Sequence, residues 1–150
     1  MRRVFVVLSG LLMIALVLQF YFAAVGAFDR PQDDDTYALH SINGMMIIPL
    51  LSILTTVAAA VARAPGRLIG LSLAPLGLVV VQVLIIVVGN VITGGSDEDT
   101  SPASLFVFGL HAVNAMLVMG AAATVLRRAR TFAAEKSTVD APQPTVTPVA

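Results

Sequence analysis

The chain has 150 residues, of which 57% are hydrophobic and only 12% charged, and its formal net charge is zero. A soluble domain carries roughly 25% charged residues, so a water-soluble globular fold is excluded, and no basic patch suits a nucleic acid. The chain has no cysteine, which removes disulfides, thiolate metal sites and cysteine-ligated iron–sulfur clusters.

The apolar excess sits in four uncharged runs. A helix needs about 20 apolar residues to cross the hydrocarbon core, and each run is that long. The runs are apolar nearly all round, whereas a soluble core helix keeps one polar face. The expectation is an all-α membrane four-helix bundle in one domain, residues 1–130, with helices at about 4–28, 36–62, 68–92 and 102–126.

Met1-Arg2-Arg3 ahead of the first run resembles a signal peptide, and residues 24–27 are small enough for cleavage. The run is longer than the usual 7–15 or so residues of a signal's apolar stretch, and Gln19 anticipates a later motif. It is read as an uncleaved first helix; cleavage would leave three. The loop Asp29-Arg30-Pro31-Gln32-Asp33-Asp34-Asp35 follows. Its adjacent aspartates lack the alternating spacing of a calcium loop, which favours a solvated loop ending in a helix cap.

Pro49 lies inside the second run, and a proline removes a backbone donor, so a kink is expected near residues 43–46. Arg63-Ala64-Pro65-Gly66-Arg67 reads as a tight turn, and Pro75 lies early in the third helix. A second acidic loop spans residues 93–101. Thr100 or Ser101 can cap the fourth helix, with Pro102 in its first turn. Beyond about residue 131 the apolar pattern fails and the chain turns proline-rich, so 131–150 is expected to be a disordered tail.

Arg2, Arg3, Arg63, Arg67, Arg127, Arg128, Arg130 and Lys136 fall at the amino terminus, the middle loop and the tail. The other two loops hold Asp29, Asp33, Asp34, Asp35, Asp97, Glu98 and Asp99, with Arg30 their one basic residue. Cytoplasmic loops are enriched in Lys and Arg, so both termini are placed in the cytoplasm and both acidic loops outside.

A motif recurs. Gln19 with Gly26 on the first helix matches Gln82 with Gly89 on the third, and Leu39-His40 with Asn43 matches Leu110-His111 with Asn114. This gives two tandem helical hairpins, residues 1–64 and 65–130, in the same orientation and related by a pseudo-twofold axis along the membrane normal. Polar side chains are costly in lipid and face the bundle interior. The depths fit less well: His40 lies 23 residues before Arg63, and His111 lies 16 before Arg127. At about 1.5 Å per residue that is a disagreement of roughly 10 Å. A kink at Pro49, tilt or a longer inner end would reconcile it.

His40 and His111 are the only histidines. One reading makes them axial ligands of a b-type haem held between the second and fourth helices. Gly44, Ala112 and Ala115 then leave room for a flat macrocycle, Asn43 and Asn114 bond a propionate or nearby backbone, and Gln19 and Gln82 act as further donors. The other makes all six residues interhelical hydrogen-bonding groups with no cofactor. Two histidines are few for zinc, which usually takes four ligands. A transporter would more often show an intramembrane charge, and the runs hold none.

Gln82, Gly89, Leu110 and His111, echoed by Gln19, Gly26, Leu39 and His40, resemble one four-helix half of the haem A synthase family. That resemblance implies haem ligation by His40 and His111. The chain departs from the family in having one such half, no carboxylate within its membrane runs and no loop cysteines, so haem hydroxylation is not implied. Residues 1–130 also resemble small uncharacterised four-helix membrane proteins of actinobacterial type, which implies a bacterial inner membrane. The expected role is non-catalytic: an electron carrier or haem-handling accessory that contacts the lipid bilayer and other membrane or respiratory proteins.

Overall fold

The computed structural model describes residues 1–33, 35–93 and 101–139. Among the described residues there are four helices: α1 (Arg2–Phe28), α2 (Ala38–Val61), α3 (Gly66–Thr93) and α4 (Pro102–Val139). Each is long and apolar enough to cross a membrane. Successive helices are neighbours, and α4 closes the ring against α1. Thus α2 and α4 face each other across a diagonal, as do α1 and α3. The chain is a multi-pass membrane protein in contact with the bilayer.

The interior is built from small and polar residues. Buried on α1 are Phe5, Ser9, Leu12, Ala15, Leu16 and Gly26; on the last three turns of α2 they are Ile48, Ser52, Thr55, Ala58 and Ala59. The three- and four-residue spacing is that of one helix face. Val7, Ile14, Val17, Val57, Val80, Val87, Val113 and Leu117 are exposed. This reverses a soluble protein's pattern for a simple reason. Lipid is as apolar as leucine, so helices associate through close packing of small residues and through hydrogen bonds.

Helix α2 is interrupted where Pro49 requires it. Asn43–Ile47 forms a π-helical turn between α-helical Ala38–Ile42 and Ile48–Val61. Pro49 has no N–H for the carbonyl one turn earlier, and the helix widens there by one residue. Helix α3 runs unbroken through Pro75; the Ser72 carbonyl beside that proline accepts a bond from Thr56 Oγ1 of α2 at 2.9 Å. The turn between α2 and α3 places Arg63 at φ 55°, with Ala64 N–H donating to Ala59 O at 3.0 Å, a left-handed cap of the kind glycine usually supplies. Ser101 caps α4: its Oγ accepts from Ser104 N at 3.1 Å, while Ser104 Oγ accepts from Ser101 N at 2.8 Å. Thr100, the other candidate cap, lies outside the described residues, as do most of the second acidic loop and residues 140–150 of the expected tail. In the first acidic loop the Asp33 carboxylate accepts from Asp35 N at 3.0 Å and from Thr36 Oγ1 at 3.1 Å.

The fourth helix departs from expectation. It continues past residue 126 to Val139, so residues 131–139 are helical rather than part of a structureless tail. Phe132 explains the first turns of this extension. It is buried in a cluster with Phe5, Ala58, Ala59, Ala64, Leu68, Val125 and Ala129. The Arg2 guanidinium stacks 3.8 Å from its ring centre, and Arg2 Nη1 donates to its carbonyl at 2.6 Å. Ala64 of the α2–α3 turn is therefore level with Ala129 and Phe132, not with Arg127. The sequence pattern mistook the first arginine for the helix end.

Candidate functional site

The longer fourth helix removes the depth mismatch. His40 on α2 and His111 on α4 meet across the bundle diagonal, with ring centres 6.2 Å apart and ring planes tilted by 45°.

Each histidine is set by a hydrogen-bond group contained within one hairpin. In the first, Asn43 Nδ2 donates to Ala15 O at 2.9 Å and to Gln19 Oε1 at 2.8 Å, and Gln19 Nε2 donates to His40 O at 3.0 Å. In the second, Asn114 Nδ2 donates to Leu78 O at 2.8 Å and to Gln82 Oε1, and Gln82 Nε2 donates to His111 O at 2.7 Å. The carbonyl acceptor lies four residues before the glutamine in both. Asparagine sits one helical turn after each histidine, so its amide and the histidine carbonyl present to the same neighbouring helix. The π turn begins at Asn43, whose side chain faces α1; Asn114 faces α3 in the same way from a regular helix.

The two groups differ at the imidazole. Gln19 Nε2 lies 3.1 Å from each ring nitrogen of His40, and His40 Nδ1 lies 3.2 Å from Gln19 O. His111 Nδ1 is buried with no hydrogen-bond partner.

The glycines of the motif have a visible purpose. A Cβ on Gly26 would stand 2.6 Å from Tyr37 Cδ1, and one on Gly89 would stand 2.6 Å from Val107 Cγ1. Tyr37 and Val107 lie about one turn from His40 and His111. The glycines let α1 close on α2, and α3 on α4, just beyond the histidines. Tyr37 also meets the His40 ring edge-on at 6.3 Å.

Between the histidines lies a cavity of about 170 Å³, bordered by all four helices. Gln19, Gln82, His40 and His111 supply its polar groups; Gly44, Ala112 and Ala115, the small residues singled out from sequence, also line it. Asn43 and Asn114 do not; they turn to backbone and glutamine instead, buried at 6% and 5% exposure. Sequence reasoning missed Leu16, Phe20, Ala23, Ile48, Val79 and Val118 in the lining. Leu16 and Ala23 could have been found, because they sit one turn before and one turn after Gln19 on the same helix face.

Among the described residues no three His, Cys, Asp or Glu side chains converge on a metal site. The arrangement suits a group needing two nitrogen ligands, or a hydrogen-bonded seam. Fold and site together define a multi-pass four-helix membrane protein with paired histidine and glutamine side chains at its centre. Residues 19–89 match the DUF6220 family, a family of unknown function. The matched stretch runs from the first glutamine of the motif to its second glycine. It takes in His40, Asn43 and Gln82 and stops before His111. No curated protein and no solved structure matches the chain.

Proposed function

We propose that the protein binds b-type haem between α2 and α4, with His40 and His111 as axial ligands, and serves as an electron-transfer or haem-handling accessory rather than an enzyme. The observation that carries this is the 6.2 Å between imidazole centres on diagonal helices. Two metal–nitrogen bonds of about 2.0 Å, with about 1.1 Å from each ring nitrogen to its ring centre, need about 6 Å. The small side chains at Gly44, Ala112 and Ala115 favour a flat ligand. The enclosed volume is below the roughly 300–1,000 Å³ of a typical cofactor site, so a macrocycle would fill the cavity and extend into its open side. When bound, haem supplies reversible one-electron chemistry. The chain's own residues orient the imidazoles through their backbone carbonyls and keep charged groups and water away from them.

One observation favours a second reading. Gln19 Nε2 lies within hydrogen-bond distance of both His40 ring nitrogens and competes with a metal for the lone pair. In that reading the six polar residues only hold helices together. The matched hydrogen-bond groups support a tandem hairpin repeat under either reading, and the motif's resemblance to half of a haem A synthase favours haem. The arginine-rich end supports cytoplasmic termini in a bacterial inner membrane.

The test is a reduced-minus-oxidised visible spectrum of the protein purified from haem-supplied cells, beside His40→Ala and His111→Ala. Sharp bands at one haem per chain, lost in both variants, are expected. A folded, colourless parent refutes the haem reading and leaves the hydrogen-bonded seam.

A further inference from the structure

We propose that the central cavity is filled sideways from the bilayer, through a window between α1 and α4 edged by Phe20, Ala23, Ala112 and Ala115. This rests on the haem reading for the identity of the ligand, but the route is argued from the walls alone.

The cavity is closed on three of its four sides and toward the arginine-rich end. Toward the arginine-rich end it is floored by the cluster of Leu12, Ala15, Leu16, Ile48, Val118 and Ala122. The α1–α2 seam is shut by Gln19, Asn43 and the Gly26–Tyr37 contact, and the α3–α4 seam by Gln82, Asn114 and the Gly89–Val107 contact. On the α2–α3 side the lining residues Gly44, Ile48, Val79 and Gln82 are all buried or half-buried. The α1–α4 side differs: Phe20 and Ala112 line the cavity and are also exposed on the outer surface, Phe20 at 41%. A residue that borders the cavity and the exterior at once marks its mouth. Closer to the arginine-rich end, α1 and α4 are joined through Leu12, Leu16, Val118 and Ala122, so the window ends below the level of the histidines.

The chemistry of the mouth selects its ligand. Its edges carry no charge and no hydrogen-bonding side chain, and it opens on lipid. An ionic or strongly hydrated solute would leave its water there without replacement, at a cost of several kcal/mol per polar group. A flat molecule with apolar faces passes from the bilayer without that cost, any carboxylate it carries staying at the lipid side of the mouth, and meets polar partners at the imidazoles and at Gln19 and Gln82.

Two arms test this. In the first, haem uptake from haem-loaded phosphatidylcholine vesicles is followed by the growth of the Soret band. Ala112→Trp narrows the mouth without touching a histidine, and Ala23→Trp does so from the facing helix, so one variant serves if the other fails to fold. At least tenfold slower uptake is expected in a folded variant; a parental rate in a folded variant overturns the window. The second arm needs no haem. The chain has no cysteine, so Val79→Cys, on the far wall, places a single thiol inside the cavity. A bilayer-dissolved maleimide should label it, and adding Ala112→Trp should abolish labelling. Labelling that persists, or that comes only from a water-soluble maleimide, overturns the proposal. A colourless parent with window-dependent labelling refutes the haem reading alone.

Discussion

Asn114→Leu is the sharpest test of the hydrogen-bond groups as what joins each hairpin. Asn114 Nδ2 donates to both Leu78 O and Gln82 Oε1, and the residue is buried at 5% exposure. Leucine is close to asparagine in size, so the change removes two interhelical bonds with little cavity. Membrane interhelical bonds average about 0.6 kcal/mol and reach about 1.7, which gives a loss of about 1–3 kcal/mol. Leu78 O keeps its helical partner, whereas Gln82 Oε1 loses its donor from α4, which places the result toward the upper half. The assay is reversible unfolding in mixed micelles, with Thr124→Val as control: Thr124 bonds only within its own helix, donating to Gly120 O and accepting from Arg127 Nη2, and should cost under about 0.5 kcal/mol. Gln82→Leu in the Asn114→Leu background should cost less than in the parent, because the two share a bond. If Asn114→Leu unfolds within about 0.3 kcal/mol of the parent, or the two changes are additive, the asparagine–glutamine pair does not hold α3 to α4.

Gly26→Ala and Gly89→Ala should each destabilise by about 1–3 kcal/mol through overpacking against Tyr37 and Val107, while Gly70→Ala, whose added carbon meets nothing within 4 Å, should not; the same unfolding assay ranks them. Arg2→Ala removes the stack on Phe132 and the bond to its carbonyl. It should cost about 1 kcal/mol and increase proteolysis of α4 beyond Phe132, whereas Arg3→Ala should do neither. Arg63→Gly relieves a left-handed residue and should stabilise by about 1 kcal/mol, read as a higher midpoint; a lower one would mean that the Arg63 side chain, not its backbone, matters at the turn.

Helix number and position were legible because bilayer thickness imposes a length that no soluble segment imitates. The break near Asn43 was legible because Pro49 has one backbone consequence. The end of α4 was not: Arg127, Arg128 and Arg130 look like a terminus, and the residue that carries the helix onward, Phe132, gains its partners from Arg2 and Phe5 at the far end of the sequence. The meeting of His40 and His111 depended on that same helix end. Spacing placed both asparagines on the histidine side of their helices, yet could not say whether they turn inward or toward the neighbouring helix. Helix packing decides that at both, since Asn114 turns to α3 from a regular helix just as Asn43 turns to α1 at the π turn.

Each glutamine–asparagine–histidine group is complete within a single hairpin, and this bears on how the protein is made. A hairpin emerging from the ribosome can enter the bilayer with its glutamine and asparagine amides already paired, so these costly groups do not wait for the other half to become tolerable in lipid. The contact between the two imidazoles is left for the moment when the finished hairpins dock. Chains severed between Arg63 and Arg67 and synthesised as two pieces should therefore insert separately and regain the cavity by assembling in the membrane.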